Sequence, residues 1–364
     1  MLLQSRMPLL DEYQAFLSLA KLGVGHSAVV FPVDVDWNAV LTLASQQGLL
    51  SVIIDGIEHL PVDKRPPKKV LVPWAGLMIQ DEAQSALQRK TAGEMASLFH
   101  GNGVRTYVLK GDVVAECYPN PAYRLSSDMD CFLLPESGDF DAWALGNELI
   151  KAKGFETGVG FYKNSTFHLP GLMVENHRFL TPFRGNERLK RLELLLQASL
   201  RADKGEDRFD GTWLYRPPVL VSALFLIEHA YSHFLHEGLT WRMVLDWVLF
   251  CRRHWAGIDW PDFEARIDEF GFRRFYDSFQ KLGRYLLGEV AEGDLCEADR
   301  LMLADVWADL DLHETLHGVK GKLALAGNTW RARWKYEHFT DMTWVRALWI
   351  QAKGVLFERQ VGLG

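Results

Sequence analysis

Twice along its length this chain changes hydrophobic period, and the two changes limit the folds open to it. From about residue 9 to residue 100 apolar side chains recur at three- and four-residue spacing, as in Val40, Leu43 and Ala44 and then Leu49, Ile53 and Ile57, which is the spacing of one helical face. Asp36 before Trp37 reads as an N-cap, Pro61 and the Pro66-Pro67 pair punctuate the segment, and a long helix is expected over 74–100. Gly101-Asn102-Gly103 is a turn signal, and beyond it residues 105–109 (RTYVL) are rich in β-branched and aromatic side chains, as a short buried strand requires. Further strands are expected at 129–134, 155–161 and 172–179, with helical spacing at 113–118 and 139–153 between them. After Pro182 the helical period returns over 188–202, 218–253, 260–287, 298–310 and 343–358. Strands alternating with helices build a layered sheet. The expected fold is therefore α/β (α+β): a small mixed sheet at 101–185, between a helical region at 1–100 and an all-helical domain at 186–364.

The charge balance narrows the function. Forty Lys and Arg against 47 Asp and Glu leave a formal charge of −7, whereas sequence-independent binding of nucleic acid draws on an excess of cations. The longest apolar run, 219–227, is far shorter than the ~20 residues that span a bilayer. The start, MLLQSRMPLL, is broken by Arg6 and lacks a small-residue cleavage site, so a cytoplasmic location is expected. Cys117, Cys131, Cys251 and Cys296 are scattered with no C-x-x-C pair, which fits reduced thiols.

The residues most suggestive of chemistry are Asp128-Met129-Asp130, at the head of the apolar run CFLL. On a strand, residues two apart share a face, so both carboxylates project together and repel unless a cation lies between them. Oxygen ligands of this kind suit Mg²⁺ alongside substrate phosphates. Taken alone, a D-x-D pair is more often a solvated strand end. Upstream, Lys110-Gly111 stands at a strand-to-helix junction, where glycine allows close backbone approach and the lysine can pair with a phosphate. Downstream, Glu175 and His177 share a strand face, and Glu175 joins the aspartates if its strand lies beside theirs. A phosphate-compatible turn followed by three acids on adjacent strands is a far less accidental set than any of its parts.

The order VLKG, a helix, YPNPAYRLSSDMDCFLL and then VENH resembles the nucleotidyltransferase superfamily related to DNA polymerase beta, and more closely its bacterial "nucleotidyltransferase family protein" branch. The later stretch IEHAYSHFLHEGLTWRMVLDWVLF is similar to that branch's H-x-x-x-H, G-x-x-x-R and D-W signature. The resemblance implies Asp128, Asp130 and Glu175 as catalytic acids and metal ligands, Lys110 and Gly111 at the triphosphate, and Arg124 near the site. It implies Mg²⁺ or Mn²⁺ as cofactor, an NTP such as ATP as substrate, and transfer of an NMP group to an unidentified hydroxyl acceptor, small molecule or macromolecule, by a two-metal mechanism. One departure stands out: Asp112 follows Gly111 where superfamily members carry serine, and an acid beside a triphosphate is unfavourable unless it points away. The competing reading is a nucleotide-sensing or scaffold protein that keeps the fold without turnover.

Other features read more plainly. His229 and His233, four apart on one helical face, are expected as packed, hydrogen-bonded histidines, with substrate contact as the alternative; Arg242 and Asp246, spaced alike, are expected as an intrahelical ion pair. The cation-rich stretch 184–191 is expected as a solvated helix face. Trp344, Leu348, Gln351 and Val355 form an amphipathic stripe expected to pack on the core. No strand precedes Gly23-Val24-Gly25, so it is no dinucleotide fingerprint.

Overall fold

The computed structural model describes residues 10–26, 29–32, 34–124, 126–159, 163–183, 185–308, 332–346 and 349. The described residues begin with three helices, α1 (Leu10–Gly23), α2 (Trp37–Gln46) and α3 (Leu50–Glu58), followed by the long α4 (Lys68–His100). Asp36 caps α2 as expected, its carboxylate accepting from the N–H groups of Asn38 and Ala39. Helices α1 and α3 cross at two glycines. A Cβ on Gly23 would run into the carbonyl oxygen of Val52, and one on Gly56 into that of Leu19, so only glycine lets the two backbones approach this closely.

Among the described residues six strands follow: β1 (Val104–Val108), β2 (Asp128–Pro135), β3 (Thr157–Val159), β4 (Asn164–Leu169), β5 (Leu172–His177) and β6 (Leu214–Tyr215). They form one mixed sheet in the order β3-β4-β5-β2-β1-β6. β2 runs antiparallel to β1 and parallel to β5, and the short β6 pairs parallel with β1 at the edge. The expected mixed sheet with helical sequence on both sides is therefore present. Between strands lie α5 (Asp112–Ala115) and α6 (Ala142–Ala152). The described residues that follow are, apart from β6, mainly helical: α7 (Glu187–Ala202), α8 (Val219–His236), α9 (Trp241–His254), α10 (Trp260–Phe270), α11 (Arg273–Leu286), α12 (Glu297–Trp307) and α13 (Arg333–Phe339). The helices expected over 218–253 and 260–287 are each two, divided at Gly238 and Gly271, whose positive φ no helix interior accepts. Most of the helix expected over 343–358, with Leu348, Gln351 and Val355, and Arg184 of the cationic stretch lie outside the described residues.

Alternation along β2 decides where chemistry can sit. Met129, Cys131 and Leu133 enter a core with Phe99 of α4 and Ile150 of α6, while Phe132 and Leu134 join a second, larger core built mainly by the flanking helices. Asp128 and Asp130 belong by period to the face of Phe132, the one turned to the C-terminal helices. Buried hydrogen bonds knit those helices to the N-terminal ones: Gln47 donates to the Val306 carbonyl at 2.9 Å and accepts from the Trp241 N–H at 2.7 Å. Trp307 stacks on Tyr13 with centroids 4.2 Å apart and meets Phe16 and Trp241 edge-on. Among the described residues no helix is long and apolar enough to cross a membrane, and the four cysteines are free.

Candidate active site

The parallel ladder between β2 and β5 puts Asp130 opposite Glu175 and Phe132 opposite His177. Since residues two apart share a face, Asp130, Glu175 and His177 converge, and one ligand atom from each lies within 4.8 Å of the others. Asp130 is 1% exposed. His177 Nε2 stands 2.8 Å from its Oδ1 and 3.5 Å from Glu175 Oε2, while Nδ1 lies 3.2 Å from the Phe179 carbonyl. Every one of those neighbours is an acceptor, so the partners assign a proton to each ring nitrogen and make His177 an imidazolium. Burial works against that charge, but the hydrogen bonds to Asp130 and Glu175 outweigh it and raise the His177 pKa. Glu175 is correspondingly held below its usual range, chiefly by His177, and its Oε2 also accepts from Asn164 Nδ2 at 2.7 Å.

Lys110 approaches from the end of β1. Its Nζ lies 2.9 Å from Asp130 Oδ2, an ion-pair contact off hydrogen-bond geometry, so that buried oxygen accepts no hydrogen bond. The same ammonium lies 3.1 Å from His229 Nε2. Lysine only donates, so Nε2 must be the unprotonated nitrogen and His229 neutral. Burial, then the charges of Lys110 and His233, hold its pKa well below the usual value. His233 pairs with Glu237 at 2.7 Å, so the H-x-x-x-H pair divides between the site and the surface and does not converge on one ligand.

Asp112 is turned away from the lysine, toward α4, where Arg89 Nε donates to it at 3.2 Å. Gly111, at φ 76°, makes the turn that separates them. The expected pairing of Arg242 with Asp246 is replaced by a longer-range one. Arg124 grips Asp246 through Nε and Nη2 at 2.9 and 2.8 Å, and Tyr118 donates to the same carboxylate at 2.7 Å. Asp128 stands outside the three-residue cluster, accepts from Ser127 Oγ at 3.3 Å, and lines the narrow recesses on either side of Arg124. The described part of the cationic stretch 184–191 is a solvated face as expected, with Arg188 on Asp341 and Arg191 on Glu269.

Two further features escaped sequence reasoning. Glu228, beside His229 on α8, is buried with neither carboxylate oxygen hydrogen-bonded, and burial pushes its pKa up to about 7. A cavity of about 260 Å³ lies at the start of α7 between Arg188, Tyr231 and Asp341, away from the acid cluster.

The cluster fits a divalent cation on its donor chemistry. Two carboxylates and an imidazole converge, one buried carboxylate oxygen has an unused lone pair, and Lys110 and His177 together supply the two positive charges such an ion would replace. A family model described as an uncharacterised nucleotidyltransferase matches residues 33–288, a span that holds every residue of this site. No curated protein and no solved structure matches the chain.

Proposed function

The chain belongs to this nucleotidyltransferase family, and on that premise we propose that it moves an NMP group from an NTP to a hydroxyl acceptor with the help of a divalent cation, Mg²⁺ or Mn²⁺. The observation that carries the reading is the register of β2 against β5, which sets Asp130 beside Glu175 and brings His177 to both. Asp130 and Glu175 would hold the metal, with Asp128 on the same face of β2 as the third acid. A divalent ion held by these residues would supply charge neutralisation for the transferred phosphoryl group and the leaving pyrophosphate.

The protein's own groups divide the remaining work. Lys110 gives up its contact with Asp130 and turns to a phosphate oxygen, as a flexible ammonium can. His177 would give up the proton on Nε2 to solvent, leaving that nitrogen as a fourth donor beside the three acids. Glu175, ionised and fixed through Oε2 by Asn164, accepts the acceptor's hydroxyl proton at Oε1. Arg124, braced by Asp246 and Tyr118, keeps the start of β2 in place.

Pyrophosphate release with each of the four NTPs, with cell extract supplying the acceptor, tests the reading. Release that needs a divalent ion and disappears in Asp130→Asn is the expected result. Metal-dependent NTP binding with no release would leave the sensor reading standing. Binding unchanged in Asp130→Asn would remove both.

A further inference from the structure

The first half of α4 has one face that the described residues leave bare. Every buried residue of this helix lies at Ser85 or beyond. Before that point Trp74 and Met78 turn one side toward the larger core. The opposite side carries Val72, Gly76, Ile79 and Ala83, whose spacing of four, three and four makes one continuous stripe. Val72 is 66% exposed and Ile79 63%. A Cβ on Gly76 would meet nothing within 4 Å, so in a lone chain glycine there only weakens the helix. Between two exposed β-branched residues it has another use, because a missing side chain lets a second helix come close. Lys68 and Glu82 flank the stripe on one side, near its two ends, and neither makes an ion pair among the described residues. Antiparallel pairing of two such stripes, about a two-fold axis between Ala75 and Gly76, sets Val72 of each copy against Ile79 of the other. The same axis brings Lys68 of each copy to within one residue of Glu82 of the other, whereas parallel pairing would set lysine on lysine and glutamate on glutamate. The stripe is complementary to itself in one orientation.

We propose that this face of α4 is where a second copy of the chain docks, forming an antiparallel two-fold dimer. The dimer stands independently of the nucleotidyl-transfer reading. One helix pair over residues 68–83, about 24 Å long, is a small interface, so dissociation belongs in the micromolar range. Sedimentation of the full chain from about 1 to about 200 µM should show a monomer giving way to a dimer. Ile79→Glu should weaken that dimer about tenfold or more, because it places an unpaired charge in the contact. Lys68→Glu should weaken it about tenfold at low salt, since the symmetry makes each ion pair twice, and combining Lys68→Glu with Glu82→Lys should recover it. A monomer throughout the range would assign the stripe to a different partner and overturn the proposal. So would a dimer undiminished by Ile79→Glu, or a double variant no stronger than Lys68→Glu. Orientation is read by oxidation in a Cys296→Ser background, which removes the exposed native thiol. Gly76→Cys should link two copies through a disulfide, and Val72→Cys should not, since the two-fold leaves those positions about 10 Å apart along the helix. Linkage through Val72→Cys would overturn the antiparallel pairing.

Discussion

Asp130 and Glu228 are buried to the same degree, each 1% exposed, and are held in opposite charge states. For both, burial is the largest influence and favours the neutral acid. At Asp130 it is outweighed by the charge of Lys110 and the hydrogen bond from His177, so the pKa falls well below the usual value; at Glu228 no hydrogen bond opposes it, and the pKa rises to about 7. The fold therefore binds the Glu228 proton more tightly than the unfolded chain does. Its contribution to stability is fully present below the ordinary glutamate pKa of about 4.5 and is lost as pH climbs to about 7, a change on the order of 3 kcal/mol. Glu228→Gln should accordingly match the wild-type melting temperature near pH 4.5 and exceed it at pH 8. An equal difference at both pH values would refute this. Of the site, the sequence showed what local periodicity can show: the shared face of Asp128 and Asp130, that of Glu175 and His177, and the turn at Gly111. The Arg124 grip on Asp246, across 122 positions, and the Lys110 contact with His229, across 119, depend on how helices dock on the sheet. Arg89 on Asp112 belongs with them: it explains how the chain carries an acid after Gly111, and no spacing rule reaches it.

Elements here are positioned by small residues and by ladder register. The crossing of α1 on α3 uses Gly23 and Gly56 against opposing backbone carbonyls, which cannot move aside as a side chain can. Gly56→Ala gains up to about 1 kcal/mol in helix propensity and should still be destabilising by about 2 kcal/mol, because the added methyl forces the two helices apart. Gly76→Ala, in α4 with open space around it, is the control and should stabilise by about 0.5–1 kcal/mol. Thermal or urea unfolding of the two variants checks both signs. The strands that sequence reading missed are instructive. β4 (NSTFHL) buries Ser165, Phe167 and Leu169 and turns Asn164, Thr166 and His168 away, so half of it reads as loop. β6 is two residues long and is a strand only because β1 offers it a free edge. Conversely, β2 was legible because apolar residues fill it from Cys131 to Leu134, whereas α4, which buries only Ser85, Thr91, Ala92, Met95, Ala96 and Phe99, was legible from the Pro66-Pro67 pair and the Gly101-Asn102-Gly103 turn that bound it.

At the scale of the whole molecule the sheet and the helices share one body of packing. The larger core takes in Phe16 and Ile53 from the N-terminal helices, Phe132 and Leu134 from β2, and Phe234, Trp247 and Phe275 from the C-terminal ones. The sheet also draws its sixth strand from residues 214–215, well beyond the α/β stretch. A fragment of residues 101–185 should thus expose the helix-facing side of β2, lack β6 and show no cooperative urea transition by circular dichroism. A sharp transition would show that the α/β unit folds alone. Trp307 gives this arrangement an optical consequence. Its indole is stacked on Tyr13 of α1 and edge-on to Trp241 of α9, so three chromophores from distant parts of the chain are coupled at one spot. Near-ultraviolet dichroism from that cluster would follow, without any added label, whether the first helix is seated on the rest of the protein.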